Sequence, residues 1–110
     1  MADDPELRRL LWFLLGGSRG GENRARIIRT LRSKPNNLNR LAGELDLQYK
    51  AVQHHMRILV TNNLVVTSGD KYGMQYSLNP WFEAHIDIFE QICQKLHFDS
   101  GATAPEPKAA

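Results

Sequence analysis

Residues 37–62, NLNRLAGELDLQYKAVQHHMRILVTN, constrain the fold more than any other stretch of the chain. Leu38, Leu41, Ala42 and Leu45 recur at helical spacing behind Asn37, a good N-cap, so the spacing predicts a helix over 37–45. Asp46-Leu47-Gln48 breaks the pattern, and a second amphipathic helix follows over 48–62. Two helices joined by so short a turn form a helix-turn-helix. Directly after it, LVVTS and MQYSL alternate in strand fashion around GDKYG, which predicts a hairpin over 64–78. The expected class is therefore mainly α with a β-hairpin (α+β), a winged helix-turn-helix.

Helices are also expected over 5–15, 22–33 and 80–98. Pro5 suits a first helical turn, Gly16-Gly17 a stop, and Asn79-Pro80 a capped start. The chain of 110 residues has the size of one domain, over 1–98, with a disordered tail over 99–110 that is rich in Pro, Ala and small polar residues. The first helix is apolar on nearly every side, and the last carries Trp81, Phe82, Ile86, Phe89, Ile92, Cys93 and Leu96 on one broad face. That is more apolar surface than one small chain can cover, so the terminal helices are expected to dimerise. The expected interface is Leu7, Leu11, Trp12 and Leu14 with Trp81, Phe82, His85, Ile86, Phe89, Ile92, Cys93 and Leu96. His85 falls within that face. It is either a neutral core histidine or a group whose protonation opens the dimer.

Charge is unevenly placed. Residues 19–62 hold nine Lys or Arg against three Asp or Glu, a net of +6, whereas 63–110 hold three against six. A basic half suits a nucleic-acid surface, although such arginines also serve as a plain solvated face. The acidic start MADDPE is unlike a signal peptide, and the longest apolar run, Leu10 to Leu15, is too short to cross a bilayer. A cytoplasmic protein without membrane attachment is expected. Cys93 is the only cysteine, which excludes an internal disulfide and a thiolate cluster. GGSRGG at 16–21 lacks the preceding strand and following GK[ST] of a phosphate-cradling loop.

The pair His54-His55 invites a metal reading, which the spacing rejects. Neighbours on a helix diverge by about 100°, and no His, Cys, Asp or Glu stands one turn from either histidine. No metal, cofactor or catalytic constellation is evident, so the chain is not expected to be an enzyme. With Val52, Met56 and Leu59 facing inward, His55 lies about 60° from the core axis and is expected to pack there, bonded to a backbone carbonyl. His54 shares the outer stripe with Lys50, Gln53, Arg57 and Thr61. In a recognition helix, Gln48, Tyr49, Lys50 and Gln53 would meet base edges while His54 and Arg57 meet the DNA backbone.

Further contacts are expected from Asn39 and Arg40, with Arg19, Asn36 and the arginines of 22–33 as additional candidates, two or three of the whole set reaching DNA in each protomer. At the hairpin tip, Lys71 and Tyr72 either touch DNA, or leave Lys71 solvated and Tyr72 packed beneath the hairpin.

RIIRTL, LAGELDLQYKAVQHHMRILVTNNLV and KYGMQYSL resemble the ArsR-type winged helix-turn-helix regulators, especially their small archaeal members. The resemblance covers about residues 21–79, and VQHHMRIL is its most specific part. It implies that the His-His run lies on the DNA-reading helix, that the hairpin is the wing, and that the first and last helices form a homodimer. Metal-sensing members carry a cysteine pair that this chain lacks, so metal response is not implied. Asn63 replaces the usual glycine before LV, and asparagine tolerates the same left-handed turn.

The expected function is sequence-specific binding of double-stranded DNA by a homodimer that regulates transcription. The alternative is a winged-helix protein-interaction module within a larger assembly. No residue pattern marks a small-molecule effector, which would need the dimer interface or a cleft beside the terminal helices.

Overall fold

A computed structural model of the chain describes residues 3–98. The tail expected to be disordered lies outside the described residues. Elements run in the order α1 (Pro5–Leu11), a π-helical turn (Trp12–Gly16), α2 (Gly21–Ser33), α3 (Leu38–Leu45), α4 (Tyr49–Thr61), β1 (Val65–Ser68), β2 (Gln75–Leu78), α5 (Pro80–Ala84) and α6 (Ile86–Lys95). The described residues group into two compact units, one of residues 3–25 with 85–98 and the other Arg26–Ala84.

In the first unit Asp4 caps α1, its side chain accepting from the Leu7 N–H at 3.1 Å. The helix then widens: Trp12–Gly16 takes π geometry, and the Gly17 N–H reaches the Trp12 carbonyl, five residues back, at 3.0 Å. Leu7, Leu11, Leu14 and Leu15 turn inward while Trp12 and Phe13 stay exposed. α6 packs against α1 and buries Ile88, Phe89, Ile92 and Cys93.

GGSRGG is a structural corner. Gly20 has φ 81°, and a Cβ on Gly21 would stand 1.9 Å from the Leu15 carbonyl oxygen. Only glycine allows α2 to start that close to the preceding helix. Arg24, 1% exposed, locks the corner: its Nε donates to the Leu14 carbonyl at 3.0 Å, and its Nη2 to Ser18 Oγ at 2.6 Å and the Arg19 carbonyl at 2.7 Å. Burial lowers its pKa, yet arginine stays charged.

The second unit holds the helix-turn-helix and hairpin. Asn37 caps α3 as expected, its Oδ1 accepting from the Arg40 N–H at 2.8 Å. The turn into α4 places Asp46 at φ 57°, and the Leu47 N–H reverses onto the Ala42 carbonyl at 3.0 Å, closing α3 in a Schellman-type turn. Asn63 closes α4 in the same way, with φ 63° and the Leu64 N–H on the Leu59 carbonyl at 3.0 Å. β1 and β2 pair antiparallel, Val65 with Leu78 through Ser68 with Gln75.

A third piece of sheet is absent from the sequence expectations. Asn36 bridges to Tyr76, its N–H donating to the Tyr76 carbonyl at 3.0 Å and its carbonyl accepting from the Tyr76 N–H at 2.7 Å. The segment before α3 thus becomes a short edge beside the hairpin, completing the winged helix-turn-helix.

The terminal helix differs from expectation. Instead of one helix over 80–98, α5 ends at Ala84 and α6 begins at Ile86, with His85 between them at φ −113°, ψ 27°. Neither Pro nor Gly stands there; the break coincides with the boundary between the two units. His85 is half-buried at this junction and not within one continuous apolar face.

Two glycines of similar helical context should respond oppositely to alanine. Gly21→Ala is expected to cost about 3 kcal/mol, because its Cβ meets backbone that must move. Gly43→Ala, inside α3 with nothing within 4 Å of the added carbon, is expected to stabilise by about 0.5–1 kcal/mol. Thermal unfolding of the two variants should shift in opposite directions.

Candidate nucleic-acid interface

α4 divides its side chains as the periodicity requires. Val52, Met56 and Leu59 are buried, and so is His55, at 7% exposure. Gln48, Tyr49, Lys50, Gln53, His54, Arg57 and Thr61 are all exposed. The two histidine rings stand 5.5 Å apart with their planes inclined at 56°, yet His54 is exposed and His55 buried, so adjacent residues of one helix meet different surroundings. No carboxylate occurs anywhere in α4. Among the described residues, no group of three or more His, Cys, Asp or Glu is placed to hold a metal ion.

Asn39 and Arg40 are exposed at the start of α3. Asn36 is not available to a partner: it is 1% exposed, its Oδ1 accepts from the Asn37 N–H at 3.0 Å, and its Nδ2 donates to Glu44 Oε1 at 3.4 Å. Its polarity serves the joint between α3 and the sheet. Arg19 is exposed, but its carbonyl belongs to the Arg24 corner.

The arginines of α2 are not a uniform cationic face. Arg24 is buried, and Arg26 donates from Nη2 to the Leu45 carbonyl at 2.8 Å, sealing the end of α3. Arg29 is half-buried and Arg32 is exposed. Sequence spacing marks which arginines leave the core stripe, but not which of them find carbonyls.

The hairpin tip is built by Asp70, whose Oδ1 accepts from the Tyr72 and Gly73 N–H groups at 3.0 Å each. Gly69 is required here, with φ 85° and the Gly73 carbonyl oxygen 2.5 Å from where a Cβ would lie. Tyr72 is 88% exposed, so it does not pack beneath the hairpin. Lys71 Nζ lies 5.5 Å from its ring centroid. That distance places a cation and an aromatic together at the tip.

The expected dimer residues separate by burial. Leu7, Leu11, Leu14, Phe82, Phe89, Ile92 and Cys93 are at most 3% exposed within the single chain, and so belong to its own core. Trp12 and Trp81 are exposed, and His85, Ile86 and Leu96 are half-buried. Phe13, absent from the expected set, is 59% exposed because the π turn carries it outward.

No protein-family model matches the chain, and no curated protein does. Solved structures do. HlyU from Vibrio cholerae N16961 has a TM-score of 0.61 at 18% identity, covering 83% of this chain and 97% of that one. A transcriptional regulator HlyU from Vibrio vulnificus CMCP6 has a TM-score of 0.60 at 19% identity, covering 80% and 90%. The solution structure of apo-NmtR has a TM-score of 0.55 at 22% identity, covering 100% and 91%. The chain shares the fold of these proteins, a winged helix-turn-helix carrying helices at both ends.

Because Asn36 supplies the acceptor for Asn37 and a donor to Glu44 from a buried site, Asn36→Ala should lower stability by about 1–3 kcal/mol. Hydrogen exchange at the Tyr76 amide should accelerate more than at amides inside α6. Equal acceleration at both would show that Asn36 does not specifically secure the wing.

Proposed function

We propose that this chain is a sequence-specific, homodimeric DNA-binding transcriptional regulator of the ArsR type. The observation that carries the proposal is the outer stripe of α4. Lys50, Gln53, His54 and Arg57 are exposed together on the second helix of a helix-turn-helix, with no acidic residue among them. Such a helix fits the major groove, where glutamine pairs with adenine and lysine or arginine with guanine. Gln48, Tyr49, Lys50 and Gln53, at its beginning, are assigned to base edges. His54, Arg57, Asn39 and Arg40 are assigned to the backbone, and Lys71 and Tyr72 to the wing's contact. The similarity of fold to a protein titled a transcriptional regulator, and the resemblance of VQHHMRIL to ArsR-type recognition helices, support the same reading.

The dimer is assigned to the end helices, and burial redefines its surface. Trp12 and Phe13 are the exposed apolar side chains of the π turn, and Ile86 and Leu96, on or next to α6, are half-buried. Pairing of two chains there would present two recognition helices to half-sites about 34 Å apart. The seven expected residues already in the chain's own core support that surface without forming it.

Lys50→Ala combined with Arg57→Ala should weaken binding to a selected DNA fragment by about a hundredfold, from 1–3 kcal/mol per lost contact, and should flatten its salt dependence. An electrophoretic shift measured at two salt concentrations reads both effects. A protein-interaction module would give no salt-sensitive shift in the parent protein. For the dimer, Phe13→Glu should return the sedimenting mass from twice the 12.5 kDa chain mass to the chain mass itself. An unchanged mass would remove the π turn from the interface.

A further inference from the structure

A groove of about 290 Å³ separates the outer side of α4 from the hairpin, within the Arg26–Ala84 unit. Its floor is carbon, including half-buried Leu38 and Val60. Its rim is polar and exposed: Gln53, Arg57 and Thr61 from the helix, and Thr67 from β1. Thr67 is the cross-strand partner of Tyr76, which also lines the groove, so the two present the same face of the hairpin to α4. No carboxylate lines this space, and its one charged lining residue is Arg57. Among the described residues, none pairs with the Arg57 guanidinium or with the Thr61 and Thr67 hydroxyls.

A cation and hydroxyl donors above an aliphatic floor match one repeating unit of a nucleic-acid backbone. Arginine and threonine donate to phosphate oxygens, and the carbon face of the sugar takes the apolar side. Resting on the DNA-binding reading above, we propose that this groove seats one sugar-phosphate unit of bound DNA. The phosphate lies between Arg57 and Thr67, and the deoxyribose lies against Leu38 and Val60. Thr67, a strand residue with no sign of function in its sequence context, becomes a DNA-positioning residue. The groove thereby fixes the angle between the recognition helix and the wing on the duplex. A small acidic effector is a poorer fit, because the groove is continuous with the exposed stripe of α4 instead of enclosed.

The test replaces each phosphate of a selected binding fragment, one at a time, by an uncharged methylphosphonate. Wild-type protein should lose about tenfold in affinity at one position per half-site, as expected for a hydrogen bond to a charged group. Arg57→Gln should lose about as much on unmodified DNA, lose nothing further at that position, and reduce the salt slope by about one per protomer. Thr67→Val, which keeps the strand's shape and preference, should lose about threefold in affinity. It should be coupled to the same phosphate and keep its slope; its melting curve reports that it is folded. Losses that add at every position would overturn the seat while leaving DNA binding intact. Wild-type protein that binds no fragment in a salt-sensitive way would overturn the DNA reading itself.

Discussion

The two backbone hydrogen bonds between Asn36 and Tyr76 hold the Arg26–Ala84 unit in register. They join the segment entering the helix-turn-helix to the strand that returns from the wing, two regions forty residues apart in the chain. β1 and β2 by themselves make a two-stranded ribbon, a structure that is marginal in water when isolated. Through the Asn36 bonds, the hairpin is tied to the start of α3, which packs on α4, which packs in turn on β1. The loop closes on itself. The buried Asn36 side chain strengthens the joint by satisfying Asn37 and Glu44, so a residue that resembles a surface contact is a structural rivet.

Two of the nine cations in residues 19–62 likewise serve structure. Arg24 satisfies two carbonyls and a hydroxyl at the corner before α2, and Arg26 satisfies Leu45 at the end of α3. Helix ends leave carbonyls without intrahelical partners, and a guanidinium with its fork of donors can serve several at once. A net charge taken from composition therefore overstates what faces a partner. The exposed cations of the Arg26–Ala84 unit include Lys50 and Arg57 of α4, Arg40 at the start of α3 and Lys71 at the wing tip, together with Arg32 and Lys34 at and just after the end of α2.

What could be learned from sequence divides along the range of the interactions. The helix-turn-helix and hairpin were legible because local signals agree there: periodic Leu and Val, the Asn37 cap, left-handed Asn63, and Asp70 with Gly69 in the turn. The split between His54 and His55 was legible for the same reason, since helix geometry alone separates adjacent side chains. The Asn36 bridge, the buried Arg24 and the break at His85 were not. The Asn36 bridge and the Arg24 contacts depend on partners brought in by folding, and no Pro or Gly marks the break at His85. The dimer surface shows the intermediate case. Periodicity identifies Leu7, Phe89 and Ile92 as facing something apolar, but cannot say that the something is the same chain; only burial separates them from Trp12 and Phe13.

Helix charge adds an independent reason to assign function to the helix-turn-helix. A helix N-terminus carries partial positive charge and favours carboxylates in its first turn by about 0.3–1 kcal/mol each. Four helices follow that rule, with Glu6, Glu22, Glu83 and Asp87 in the first turns of α1, α2, α5 and α6. α3 and α4 have no acid there, and the first turn of α4 contains Lys50 instead. Stability alone would place a glutamate at that position, and the rest of the chain shows that such placements are available to it. A cation at the electropositive end of a helix whose exposed stripe has no neutralising acid is a local cost without a return inside the chain. Violations of this kind concentrate where a protein meets its partner, and the partner that would relieve this one is itself negatively charged.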